Sequence, residues 1–162
     1  MIRKLFYIGI LLLVSSYIQA QIPSATVENM NGSAINVRDA VTKGKITVIS
    51  FWSSVCKPCL AELDAISDVI DSWHKKADFD MIAVTIDDNR NISTAKSLVN
   101  GHGWNFTILF DKNQNMKRAF GVNFIPHVFI FDAGGKQVYS HTGYTPGSEN
   151  ELLDKIVELA KH

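Results

Sequence analysis

Apolar and polar positions change period several times along the chain, and each change marks an element. Ala25 to Met30 and Ser33 to Val37 flank Asn31-Gly32, a dipeptide that favours a tight hairpin because both residues tolerate positive φ. Ile46-Thr47-Val48-Ile49-Ser50-Phe51-Trp52 is a nearly continuous β-branched and aromatic run, the pattern of a strand buried on both faces. From Pro58 the period becomes helical. Leu60, Leu63, Ile66, Ile70 and Trp73 recur at spacings of three and four, with Glu62, Asp64, Asp68 and Asp71 between them. That is an amphipathic helix with proline in its first turn, where a missing N–H costs nothing.

Asp80 to Thr85 reads as a second buried strand, Ser93 to Asn100 as a helix closed by Gly101, Phe106 to Phe110 as a third strand and Gln114 to Phe120 as a short helix. After Pro126, His127 to Phe131 and Gln137 to His141 flank a Gly134-Gly135 turn and form a second hairpin. Ser148 with Glu151 makes a capping box for a last helix carrying Leu152, Leu153, Ile156, Val157 and Ala160. The order is hairpin, then βαβαβα, then hairpin and helix. It predicts an α/β domain with a central mixed sheet flanked by helices on both faces.

The first twenty residues form a different class of segment. Met1-Ile2-Arg3-Lys4 is basic, Leu5 to Val14 is apolar but short for a bilayer span, and Ala20 is a small residue suited to a cleavage site. Residues 1–20 therefore read as a signal peptide, with an uncleaved membrane tether as the competing reading, and residues 21–162 as one exported domain. The 162 residues carry 16 Lys+Arg against 16 Asp+Glu; the leader holds two of the basic ones, Arg3 and Lys4, which leaves the domain mildly acidic. No basic run is present, so a nucleic-acid partner is not expected. An apolar share of 46% excludes a disordered chain. No repeat or linker divides the domain, which is expected to act as a monomer.

Candidate chemistry is concentrated in two cysteines, Cys56 and Cys59. They sit where the buried strand ends and the helix begins, beside unpaired N–H groups and the positive end of the helix dipole. A thiol so placed can have its pKa lowered from ~8.5 to ~3.5–7.5. Lys57 adds a positive charge. Cys56 is then the exposed nucleophile, and Cys59, one turn further in, resolves a mixed disulfide by attacking it. A purely structural bridge this local would remove little chain entropy. A zinc site would need about four ligands, and His74, His102, His127, His141 and His162 show no paired spacing to complete one. Two inert core cysteines remain as the bland alternative.

Phe51-Trp52 through Cys59, joined to Gly121-Val122-Asn123-Phe124-Ile125-Pro126 about seventy residues on, resembles the thioredoxin superfamily. The leader, the extra N-terminal hairpin and the ending Gly143-Tyr144-Thr145-Pro146-Gly147 resemble its exported TlpA/ResA-like branch. The resemblance implies a thioredoxin-like fold, a cis bond before Pro126, and backbone hydrogen bonds from Ile125 to a substrate strand, with Trp52 also on the substrate side. It also implies that Glu62 moves protons to and from the thiols; a carboxyl half-buried near a thiol should have the raised pKa that such a donor needs. Lys57 and Pro58, between the cysteines, help set the potential. His127, where many relatives have threonine, would favour a thiolate when protonated.

Two departures matter. Thioredoxins carry a buried aspartate before the Phe-Trp pair, where this chain has Ser50, and a tryptophan before the first cysteine, where it has Val55. The implied function is an exported, periplasmic or otherwise extracytoplasmic reductase of protein disulfides. It would need no cofactor or metal, would be fed by a membrane thiol donor, and would serve cytochrome c maturation or envelope thiol homeostasis. Two alternatives stay open. One is a peroxiredoxin-like peroxidase, in which Ser53 fits the hydroxyl position but Ile49 replaces the expected proline. The other is a copper-binding chaperone using the cysteines and His127.

Overall fold

A computed structural model describes residues Gln21 to Lys161. The leader assigned to residues 1–20 lies outside the described residues. Two short strands, β1 (Thr26–Glu28) and β2 (Ala34–Asn36), are followed by a single 3-10 turn at Val37–Ala40. Then come β3 (Ile46–Trp52), α1 (Lys57–His74), β4 (Phe79–Thr85), α2 (Ile92–His102), β5 (Thr107–Phe110), α3 (Asn115–Ala119), β6 (His127–Phe131), β7 (Gln137–Thr142) and α4 (Glu149–Leu159).

The seven strands form one mixed sheet in the order β2-β1-β5-β4-β3-β6-β7. β3 lies near its middle, parallel to β4 and antiparallel to β6. All seven residues of β3 are buried, which is why its sequence does not alternate. Val48 and Trp52 join Leu63, Ile66 and Ile70 of α1, Val99 of α2 and Ile156 of α4 in one core. Ile49 and Phe51 point to the opposite face, where Met116 of α3, Val27 and Val37 close a second core. The sheet is thus covered on both sides, with α1, α2 and α4 on one face and α3 with the N-terminal segment on the other.

Three local details differ from the sequence pattern. At the first hairpin only Gly32 takes positive φ (81°), and the turn is widened by Asn29, whose side chain accepts hydrogen bonds from the N–H groups of Asn31 and Ser33, each at 3.0 Å. Helix α2 runs past Gly101 and is closed by Gly103, left-handed at φ 67° with its N–H bonded to the Val99 carbonyl. Ser148 caps α4 without a side-chain hydrogen bond. The capping box does not form because Ser148 itself has helical backbone angles. Glu149 ties the helix start instead, accepting from Gly147 N–H and from the Tyr144 hydroxyl, both at 3.0 Å.

Candidate active site

The two cysteines lie at the carboxyl end of β3, where a parallel sheet presents its strand ends to a ligand. Cys56 is the N-cap of α1 and Lys57 and Pro58 are the first helical residues, both exposed. The first turn of α1 carries no acidic residue, so no side chain of the helix itself offsets the positive end of its dipole. Cys56 and Cys59 are joined in a disulfide, with Cα atoms 5.3 Å apart. Their exposure is unequal: Cys56 is half-buried and Cys59 fully buried. A reagent approaching from solvent therefore meets the Cys56 sulfur first.

The opposite wall comes from β6. Phe51 pairs with His127, so the antiparallel register carries Ile125 and Pro126 alongside the chain as it leaves β3 toward Cys56. The Ile125–Pro126 bond is cis. The Pro126 carbonyl is taken by Gly143 N–H at 2.8 Å, whereas neither the N–H nor the carbonyl of Ile125 is engaged by another backbone group among the described residues. The chain is apolar on both approaches, since Val55 is 78% and Phe124 75% exposed.

Trp52 is placed differently from its assignment as a substrate contact. It is fully buried, its ring packed edge-on against Trp104 with centroids 5.1 Å apart. The alternation of β3 turns Trp52 inward beneath α1, so in this structure it underlies the site and presents no surface to solvent. His127 faces the other core, stacked on Phe129 at 4.2 Å between ring centroids. Burial, reinforced by nearby His141, holds its pKa below the usual histidine value, which disfavours the charged form that would stabilise a thiolate.

Glu62 is buried on the inner face of α1, one helical turn beyond Cys59. Its Oε2 accepts a hydrogen bond from the Ser50 hydroxyl at 2.8 Å. Burial pushes the Glu62 carboxyl up to about 7, the Ser50 hydrogen bond opposes that rise, and the charge of Glu149 adds to it. The carboxyl therefore titrates near neutrality, where a proton carrier works best. A narrow cleft admitting about one water-sized sphere runs from Glu62 between α1, β7 and α4, past Tyr139, His141 and Glu149.

One group at the site escaped the sequence reading. Asp87 is buried just after β4 and accepts from Thr85 Oγ1 at 2.5 Å, Ser54 N–H at 2.8 Å and Ser54 Oγ at 3.0 Å. It pins the turn that presents Cys56. Thr85-x-Asp87 at the end of a buried strand was the available signal, because parallel strands β3 and β4 bring their carboxyl ends together. Among the described residues no group of three or more His, Cys, Asp and Glu side chains converges as a metal site would require.

Comparison with known proteins assigns the chain. The family model described as AhpC/TSA matches residues 18–140. The chain belongs to the AhpC/TSA family. Within this thioredoxin-like family it resembles the thiol-disulfide oxidoreductase ResA of Bacillus thuringiensis (strain Al Hakam), 30% identical over 116 residues, which cover 72% of this chain and 64% of that protein. The ResA of Halalkalibacterium halodurans is 27% identical over 135 residues, covering 83% of this chain and 72% of the relative. A solution structure of an uncharacterized thioredoxin-like protein from Porphyromonas gingivalis superposes with TM-score 0.77 at 43% identity, covering 88% of this chain and 94% of that one. The crystal structure of a putative thiol:disulfide interchange protein DsbE from Chlorobium tepidum, at 23% identity and TM-score 0.76, covers 88% of this chain and 96% of that one and shares the fold. The AhpC/TSA match includes β3, the Cys56–Cys59 pair and the cis-proline, so the site described above lies within the family's own segment.

Proposed function

We propose that the chain is an exported thiol-disulfide oxidoreductase that reduces disulfides in protein substrates. The observation that carries this reading is the unequal exposure of a bonded Cys56–Cys59 pair at a helix N-terminus beside a cis-proline. In the reduced protein the Cys56 thiolate attacks one sulfur of a substrate disulfide. An S–S bond forms to Cys56, the substrate bond breaks, and the leaving sulfur takes a proton. Cys59 then gives its proton to the Glu62 carboxylate and attacks Cys56 Sγ. The intramolecular disulfide forms, the mixed disulfide breaks, and the second substrate thiol departs with a proton. Two electrons pass from the dithiol to the substrate, and a membrane dithiol donor restores the pair.

Ile125 offers its free backbone groups to an extended substrate segment, and Pro126 closes the site across from the sulfurs. Phe124 and Val55 favour an apolar residue beside the substrate cysteine. Lys57-Pro58 lacks a histidine between the cysteines, and we assign the pair to the reducing half of a superfamily range of ~−270 to ~−120 mV. The basic-then-apolar pattern of residues 1–20 supports export, with the leader either cleaved or kept as a membrane tether. Maturation of c-type cytochromes is the process we assign to the substrate.

A Cys59→Ser variant expressed in the native host tests the reading. Cys56 should hold exported proteins in mixed disulfides that dissolve in dithiothreitol, and a deletion strain should lose covalently bound haem. Capture at background level would remove the protein-disulfide role, rapid peroxide consumption without any protein substrate would replace it with a peroxidase, and stoichiometric Cu(I) binding without reductase activity with a chaperone.

A further inference from the structure

Ser50 stands out among the buried polar groups because its place in the fold has no structural need for a hydroxyl. It occupies the middle of β3, fully buried, on the face that carries Val48 and Trp52. The strand already has backbone partners on both sides, Ala83 in β4 and Val128 in β6. A buried hydroxyl without a partner is costly, so a serine persists here when its partner is worth holding. That partner is the Glu62 carboxylate, 2.8 Å away.

We propose that Ser50 is a positioning residue for proton transfer: from β3 it fixes the Glu62 carboxylate one turn beyond Cys59 and favours its ionised, proton-accepting form. The proposal rests on the oxidoreductase reading and extends it. A hydroxyl can donate its hydrogen to a carboxylate, whereas a carboxylic acid that has its own proton needs no donor, so the bond favours the base. The other polar groups facing Glu62 do not do this. From α4, Glu149 contributes a like charge that discourages ionisation; from β7 come Tyr139 and His141, and from the following loop Tyr144, whose hydroxyl is bonded to Glu149. Ser50 is thus the donor that keeps a buried carboxyl usable near neutral pH, and it does so from the sheet, independently of the helix on which the cysteines ride.

The test has two arms. In the oxidised protein, 13C-carboxyl NMR follows the Glu62 titration without any substrate. Ser50→Ala should move its midpoint upward by about one pH unit, the effect of one lost hydrogen bond to a charged group, and Ser50→Thr should return it toward the wild-type value. In the reduced protein, the rate of the Cys59 resolution step, which follows the Glu62 carboxylate fraction, should fall about fivefold at pH 7 in Ser50→Ala and recover by pH 9. Adding Ser50→Ala to Glu62→Gln should change nothing further. An unmoved Glu62 midpoint in a folded Ser50→Ala protein would overturn the proposal, as would a rate loss that is the same at every pH. Failure of the oxidoreductase reading would look different: a shifted midpoint with no reductase activity at any pH.

Discussion

Asp87 takes both the N–H and the hydroxyl of Ser54, at 2.8 and 3.0 Å, and so ties the end of β4 to the turn that delivers Cys56. A third donor, Thr85 Oγ1, completes the carboxylate's partners. Removing Asp87 would leave three donors without their acceptor, the Ser54 N–H and hydroxyl and the buried Thr85 hydroxyl, at roughly 1–3 kcal/mol for each that finds no other partner. Asp87→Ala should therefore lose about 2–4 kcal/mol in urea unfolding, while Asp87→Asn, which keeps an acceptor for Ser54, loses less than half as much. Hydrogen exchange at the Ser54 amide is the local check: it should accelerate in Asp87→Ala beyond what the global loss of stability explains. Unchanged exchange there would mean that the turn holds itself.

Glu62 gives the fold a pH dependence of unusual sign for a carboxylate. Its native pKa is about 7 against 4.5 for the free group, so between those values the native state binds more protons than the unfolded chain. Stability must then fall as pH rises through that window and level off above it. At ~1.4 kcal/mol per pH unit the loss attributable to Glu62 is roughly 3 kcal/mol. Glu62→Gln, which retains an acceptor for Ser50, should remove this slope and be the more stable protein at pH 8. Denaturant midpoints at pH 4.5, 6 and 8 for both proteins decide it; parallel curves would refute the burial argument.

The elements were legible because periodicity changes wherever an element does. The seven-residue apolar run became β3 with the bounds read from the sequence, and the three-four spacing from Leu60 to Trp73 became the buried face of α1. The proximity of Cys56 and Cys59 was legible for a local reason, since a strand-to-helix junction positions both cysteines within one turn. What was not legible depends on which way a side chain points once the sheet is assembled. Trp52 lies four residues from Cys56 yet is turned into the core by strand alternation, and His127 follows Pro126 yet stacks on Phe129 across the other face. Asp87 is bonded to Ser54 and Ser50 to Glu62 across sequence separations of 33 and 12 residues, so these pairs form only once β3, β4 and α1 are brought together.

Phe124 and Val55 are large apolar side chains left in water on the two segments that meet at the sulfurs. Because Phe124 is 75% exposed, truncating it should cost the fold almost nothing. Its loss should instead weaken a ground-state contact, raising KM for an unfolded disulfide-bonded protein by about three- to tenfold with kcat little changed. A small disulfide such as oxidised glutathione, too short to reach Phe124, should be reduced at the wild-type rate. Equal effects on both substrates would point to damage at the sulfurs rather than to a lost docking contact.

His127 provides the clearest separation between tuning by charge and support by packing. Its Nδ1 is buried and has no hydrogen-bond partner among the described residues, while its ring stacks on Phe129. Burial lowers its native pKa below 6.5, so just under that value the unfolded chain binds more protons and stability rises with pH, opposite in sign to Glu62. His127→Phe keeps the stacked ring and removes the unpartnered nitrogen, and should gain about 1 kcal/mol at pH 7 and more at pH 5. Since the imidazole is neutral at pH 7, the midpoint potential of the Cys56–Cys59 pair should stay within about 10 mV of wild type there. A shift toward more reducing values at pH 7, as the pair loses a nearby positive charge, would show instead that His127 is protonated in the native protein and acts on the thiolate directly.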